Sequence, residues 1–315
     1  MKQSSDTVSV VIAAYNAAHF IERGIRSVLE QTHPILEVLV VDDASTDSTA
    51  SVVRQIASQH KNIMLIQLGS NGGPSAARNA GLNAARGDWI GILDADDAFL
   101  NDRIEHMVET GRLLDADIVI DAFRSYDFAT GKIGSSALGD DSRGPQLVSV
   151  NEYVMHARPF GDEADWGLLQ PLYRRSFLNR NSLQYPLHSR HGEDFLFMFD
   201  ALLKGARLVL SRRAGYLYTS RESGLSRTTI NYRLMWEHTE ALARDPRVDE
   251  IQGLSDSLAK RVEALKRLEA IHGILNLARR RDWIALTRKL LADHRARAML
   301  GQKIVNRFRR TMGAD

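Results

Sequence analysis

The sequence predicts an α/β protein built on a doubly wound, mostly parallel sheet. Three observations carry that expectation. Short apolar runs recur through the first 123 residues, each is followed by apolar positions at helical spacing, and the runs are continuously apolar, as strands covered on both faces are. Taken in order, VSVVIAA at 8–14 reads as the first strand, and Phe20, Ile21, Ile25, Val28 and Leu29 mark a helix. LEVLVV at 36–41 is a strand, 45–58 a helix, NIMLIQL at 62–68 a strand, and the alanine-rich 75–86 a helix. WIGIL at 89–93, a helix over 101–114 and DIVIDAF at 117–123 complete the series. Lys2 ahead of Val8–Ala14 has the outline of a signal peptide, but Asp6 and the run into Tyr15-Asn16 favour a first strand.

After Phe123 the rhythm breaks. Residues 124–150 are rich in Gly, Ser and Asp and read as a hairpin or loop. From about residue 228 the pattern turns helical, and 255–310 carries Leu, Ile and Val at three- and four-residue intervals among Arg and Lys, with no proline.

With 315 residues, 44% hydrophobic and 25% charged, the chain is long enough for a large core and is far from disordered composition. It has no cysteine, which excludes disulfides, thiolate metal sites and cysteine nucleophiles and requires any metal to be held by oxygen or imidazole. The formal charge of +2 points to no nucleic-acid partner, but it averages two opposites. Residues 255–315 hold 15 Lys or Arg against 6 Asp or Glu, leaving 26 against 33 for the remainder, an acidic body with a basic tail. No apolar run reaches the roughly 18 residues a bilayer span needs.

In a parallel α/β sheet, ligands bind outside the carboxyl ends of the strands. Those ends read Ala14-Tyr15-Asn16, Asp42-Asp43 followed by Ser45-Thr46-Asp47, Gly72-Gly73-Pro74, and Asp94-Ala95-Asp96-Asp97. Acids gathered at neighbouring strand ends repel unless a cation arrives. The DADD carboxylates are hard oxygen ligands suited to Mg²⁺ or Mn²⁺, which would neutralise a diphosphate; the plainer alternative is that Asp96 or Asp97 caps the helix beginning near Asn101. Asp43 reads as an acceptor for a ring N–H or ribose hydroxyl, while Ser45 and Thr46 are ordinary helix caps. Gly72-Gly73 is either a simple turn or, with Arg78 and Asn79, a phosphate-receiving helix start. Glu193-Asp194 precedes the apolar FLFMF and is either a helix-dipole pair or the base for an incoming hydroxyl, with His188 and His191 as possible assistants. The polar segment 218–227 carries Arg221 and Arg227, able to close on a phosphate.

The ordered set VSVVIAAYN, VLVVDDASTDST, SNGGPSAARNAG, GDWIGILDADD and HGEDFLF resembles the family 2 glycosyltransferases of the GT-A fold, over roughly residues 7–200. In size and in its AAYNAA opening the chain is most similar to bacterial exopolysaccharide enzymes of the succinoglycan type. The resemblance implies a GT-A catalytic domain over 1–227, with a nucleotide-sugar half to about 123 and an acceptor half over 124–227, followed by a helical region at 228–315. It implies that Ala14, Tyr15 and Asp43 line the uracil pocket of a UDP-sugar and that Arg78 lies near the nucleotide. Asp94 and Asp96 would form the DxD that meets ribose, diphosphate and metal, with either Asp96 or Asp97 as the direct metal ligand. Asp194, with Glu193, would be the catalytic base of an inverting displacement. Relatives often carry proline where this chain has Ala13-Ala14, a departure confined to the strand exit.

The implied activity is metal-dependent hexosyl transfer, for example of glucose, from a UDP-sugar to a saccharide acceptor linked to a polyprenyl diphosphate, in exopolysaccharide or cell-surface polysaccharide synthesis. A nucleotidyltransferase and a non-catalytic sugar-nucleotide-binding protein are the alternatives; a dehydrogenase is disfavoured because no G-x-G-x-x-G follows the first strand. The basic tail, with Arg279, Arg280, Arg281, Arg288, Lys289, Arg295, Arg297, Lys303, Arg307, Arg309 and Arg310, reads either as a contact with anionic lipid on the cytoplasmic face of the inner membrane or as a solvated helical face or dimer contact.

Overall fold

The structure is a computed structural model that describes residues 6–139, 141–160, 163–189, 191–220, 230–279 and 281–292. Four strands, β1 (Val8–Ala14), β2 (Ile35–Asp42), β3 (Ile63–Gln67) and β4 (Trp89–Asp94), pair in parallel in the order β3-β2-β1-β4. Helices α1 (Ile21–Leu29), α2 (Thr49–Ala57) and α3 (Pro74–Ala84) connect them as the sequence pattern predicts. Both faces are covered. Val8, Val10 and Ile12 pack with Ile21, Ile25 and Val28 on one side, while Val11, Leu39 and Val41 pack with Ala77 and Leu82 on the other. That two-sided burial is why the strands read as unbroken apolar runs. Helix α3 approaches β1 closely, because a Cβ on Gly81 would lie 2.2 Å from Val11 Cγ1.

The sheet continues through β9 (Pro171–Arg174), β6 (Ile118–Asp127), β10 (Leu208–Ser220) and the two-residue β5 (Ala98–Phe99). β9 runs antiparallel between β4 and β6, whereas β6 and β10 are parallel to each other. The short β9 was not legible in the sequence: four residues beginning with proline carry neither a period-two nor a helical signature. β7 (Ile133–Ser136) folds back on β6, fulfilling the hairpin expectation for part of 124–150, and β8 (Gln146–Val148) pairs with β10.

The other helices are α4 (Arg103–Leu113), α5 (Val150–His156), α6 (Arg175–Arg180), α7 (Glu193–Leu203), α8 (Tyr232–Leu242), α9 (Pro246–Asp249), α10 (Leu254–Arg279) and α11 (Trp283–Ala292), with a 3₁₀ turn at Trp166–Leu168. Helix α10 packs on α5 and α8, where Ser257 Oγ lies 2.5 Å from Asn151 Oδ1. Among the described residues no helix is long and apolar enough to cross a membrane.

Two cap expectations are corrected. Helix α2 begins at Thr49, not Ser45, because Asn16, at φ 48°, draws the preceding loop inward by accepting from the Thr46 and Asp47 amides at 2.8 and 3.3 Å. Asp47 Oδ1 then accepts from Thr49 N at 2.9 Å, so Ser45 and Thr46 are loop residues. Helix α4 begins at Arg103 after Asp102, so neither Asp96 nor Asp97 caps it.

Candidate active site

Strand register builds the site. Ala14 pairs with Asp42 and Ala13 with Asp94, so β1, β2 and β4 end side by side at one edge of the sheet. Ala14 is buried and Tyr15 is 45% exposed beyond it. Asp43 is 3% exposed, and its two carboxylate oxygens accept from the amides of Gly72 and Gly73 at 2.8 Å each. These bonds tie the loop after β2 to the loop after β3. A Cβ on Gly72 would stand 2.6 Å from that of Ala76, and Gly73 has φ 84°, so the glycine pair is required by close approach and backbone conformation.

The DADD turn is held from beneath. Asp97 is 2% exposed, with Oδ2 accepting from Tyr216 Oη at 2.6 Å and Oδ1 from Thr219 N at 2.7 Å. Burial and the nearby Asp94 charge push its carboxyl well above the ordinary range, and the Tyr216 and Thr219 bonds pull less strongly the other way. The Tyr216 hydroxyl also accepts from Asp94 N at 3.3 Å. Arg23, from α1, donates to the Asp96 carbonyl at 2.7 Å and to Thr219 Oγ1, while its guanidinium carbon lies 4.1 Å from the centre of the Tyr126 ring. Asp96 itself is half-buried.

Arg78 links this turn to the other acidic pair. It is 4% exposed, one turn into α3, and donates to Asp94 Oδ1 and Glu193 Oε1 at 2.9 Å each. Asp94 Oδ2 is taken by Gln170 Nε2 at 3.0 Å. Glu193 and Asp194 form the first turn of α7, where the helix N-terminus favours negative charge. Asp194 Oδ1 is covered and 3.2 Å from Arg78 Nη1, yet its side chain remains 35% exposed, so the open side of the carboxyl group faces away from that arginine. Burial raises the Asp194 carboxyl to about 7, with Arg78 opposing the rise and Glu193 and Asp94 adding to it. Arg78 is itself pushed far above its usual value: burial, the largest single influence, works against its charge, but Asp194, Asp94, Tyr185 and Glu193 together outweigh it.

No group of three or more His, Asp or Glu side chains among the described residues is placed to hold a metal ion alone. Asp94 and Asp97 have both oxygens engaged within the protein. This donor set fits a cation that takes most of its ligands from substrate phosphates, as Mg²⁺ commonly does, and not a closed protein cage.

The sequence model for glycosyl transferase family 2 matches residues 9–205. The chain belongs to this family. Among its relatives, the succinoglycan biosynthesis protein ExoO of Rhizobium meliloti (strain 1021) is 32% identical over 308 residues, covering 96% of this chain and 86% of that protein. ExoU of the same organism is 32% identical over 248 residues, covering 76% and 70%. Among solved structures, S. aureus TarS 1-349 in complex with UDP-GlcNAc superposes with a TM-score of 0.61 at 24% identity. The alignment covers 75% of this chain and spans 65% of that one, and it establishes a shared fold.

Within this family 2 chain, the sequence motifs at Asp43, Arg78, Asp94, Asp96, Glu193 and Asp194 converge at the carboxyl edge of the sheet, as expected for the fold. Asp97 lies behind that edge, occupied by Tyr216 and Thr219. Arg78 is engaged by three acids rather than presented outward. Arg221 and Arg227 lie outside the described residues, as do Arg280, Arg295, Arg297, Lys303, Arg307, Arg309 and Arg310. His188 meets His238 edge-on at 5.1 Å and His191 is half-buried. The supporting residues Arg23, Gln170, Tyr216 and Thr219 carried no sequence signal, since their bonds to the turn span 73 to 123 positions.

Proposed function

We propose that this chain moves a sugar from a UDP-sugar to a saccharide acceptor by a single displacement with inversion, with Asp194 as the base. The observation that carries this reading is the buried Arg78, which bonds both Asp94 of the DADD segment and the Glu193-Asp194 pair, setting donor-side and acceptor-side carboxylates around one cation. In the step, the acceptor oxygen forms a bond to the anomeric carbon while the bond from that carbon to the UDP oxygen breaks. The hydroxyl proton passes to the Asp194 carboxylate and the electron pair leaves with UDP. Inversion follows from attack on the face opposite the leaving group.

Asp43, by fixing the Gly72-Gly73 turn, together with Ala14 and Tyr15, shapes the pocket for the uracil ring. In this reading Asp96, whose backbone carbonyl is held by Arg23 and Thr219, would meet a Mn²⁺ or Mg²⁺ ion. Such an ion, when bound, offsets the charge that develops on the leaving diphosphate. The UDP complexes of TarS support a UDP donor, and the succinoglycan names of two relatives support exopolysaccharide synthesis; the sugar moved in this reading is a hexose such as glucose. The acceptor in this reading is lipid-linked at the cytoplasmic membrane face; peripheral membrane contact is supported by α11, where Trp283 and Ile284 are 61% and 70% exposed on a helix that also carries Arg288.

The test is product analysis over a panel of UDP-sugars with Mn²⁺ and Mg²⁺. Release of UDP by the wild type and its loss in Asp194→Asn are expected. UTP formed from a UDP-sugar and added pyrophosphate, with no UDP released, points instead to a nucleotidyltransferase, and undiminished UDP release by Asp194→Asn removes Asp194 as the base.

A further inference from the structure

The C-terminal helices contain a buried cation that the activity proposed above does not use. Arg261, on α10, is 3% exposed, and its Nε and Nη1 have no hydrogen-bond partner. Keeping charged donors dry costs free energy that some other gain must offset. The guanidinium contacts Phe195, its carbon lying 3.5 Å from the ring centroid. Phe195 follows the Glu193-Asp194 pair directly in the chain, and its ring also packs against Tyr153 and Phe199 at 6.0 and 5.9 Å.

That contact matters because of how α7 begins. Its N-cap is Gly192, at φ 77°, and no side chain caps the first turn. The place of Asp194 therefore depends on the Arg78 ion pairs and on the seating of Phe195. Helix α8 adds a second contact, with Met235 Cε and Cγ only 3.3 Å from where a Cβ at Gly192 would stand.

We propose that Arg261 is a positioning residue for Asp194, holding the first turn of α7 through the Phe195 ring, so that the C-terminal helices complete the acceptor side of the active site. This rests on the reading of Asp194 as the base. Arg261 lies beyond the 9–205 segment matched by the family, so the brace belongs to this chain's own C-terminal region. A displacement of the base by about 1 Å is enough to cost on the order of a hundredfold in rate.

The experiment compares wild type, Arg261→Met, Arg261→Lys and Asp194→Asn in the full chain. Hydrogen exchange over residues 189–200 is measured together with Tm, UDP affinity by calorimetry, and UDP release from UDP-glucose, UDP-galactose and UDP-N-acetylglucosamine with water as acceptor. Arg261→Met takes away the positive charge that faces Asp165, so a modest fall in Tm is expected. It is also expected to leave UDP affinity within about twofold, to speed exchange in the first turn of α7, and to slow UDP release by about tenfold to a hundredfold. Arg261→Lys, which restores a cation over the ring, recovers part of both losses. Wild-type exchange in Arg261→Met overturns the inference, and so does a loss that Tm and UDP affinity share in parallel. Asp194→Asn separates the two readings: if it releases UDP like wild type, the base assignment fails, whereas an inactive Asp194→Asn beside an unimpaired Arg261→Met removes only the role of Arg261.

Discussion

Arg78 Nη1 stands 3.2 Å from Asp194 Oδ1 while the same guanidinium donates to Asp94 and Glu193. One buried cation thus holds three carboxylates. Arg78→Met is expected to destabilise the fold by about 3–5 kcal/mol at neutral pH, the cost of leaving buried acids without their partner. The deficit, read from urea midpoints, should shrink as pH falls below about 7 and Asp194, whose carboxyl is raised by burial, takes up a proton and stops repelling its neighbours. A neutral-pH midpoint equal to wild type refutes this account.

The pH dependence of turnover follows from Asp194. Its carboxyl is raised to about 7, first by burial and then by Glu193 and Asp94, against the pull of Arg78. A base acts ionised, so the rate should fall about tenfold per unit as pH drops below that value. Glu193→Gln keeps an acceptor for Arg78 but removes a neighbouring negative charge, so it should move the acid limb to lower pH. A limb that stays put or moves upward contradicts the electrostatic origin of the shift.

Asp96 and Asp97 are separable by substitution. Asparagine at 97 can still accept from Thr219 N and bond the Tyr216 hydroxyl, so Asp97→Asn should retain most of the response to added Mn²⁺. Asp96→Asn should lose it, with UDP release down about a hundredfold or more. If a metal titration shows the larger loss in Asp97→Asn, the assignment is reversed.

Gly81→Ala tests the close approach of α3 to β1. A methyl group 2.2 Å from Val11 Cγ1 cannot be accommodated without movement of helix or strand, and a cost of about 1–3 kcal/mol is expected in denaturant unfolding. An unchanged midpoint would mean that the helix shifts freely.

Membrane contact predicts that Trp283→Ala and Arg281→Glu lower partitioning onto vesicles containing anionic lipid, by roughly 1 kcal/mol for each basic residue lost. Identical partitioning of the variants and wild type removes that role from α11.

The order of the strands and helices through β4 was legible because the runs of β1, β2 and β4 are buried on both faces, as Val10 and Val11 on opposite sides of β1 show. β3, at the sheet edge, is only partly buried. The acids at the strand ends were legible for a related reason: a parallel sheet presents its carboxyl edge together, so local sequence marks one place in space. The start of α2 was misread because Asn16, about thirty positions away, captures the amides that a local cap would have served. β9 was missed because only its neighbours β4 and β6 make it a strand.

The amino-acid sequence by itself determined the fold class, the family motifs and the clustering of carboxylates at the strand ends, where a parallel sheet receives its ligands, since hydrophobic period and motif spacing are local properties. Tertiary structure alone decided the surroundings of each acid. Burial and long-range bonds from Gln170, Tyr216 and Thr219 give Asp94 and Asp97 partners inside the protein. Asp194 keeps an open side, with its proton affinity raised first by burial and then adjusted by Arg78 and the surrounding acids. Such surroundings come from desolvation and from charges brought together by folding, and neither is written in the order of the residues.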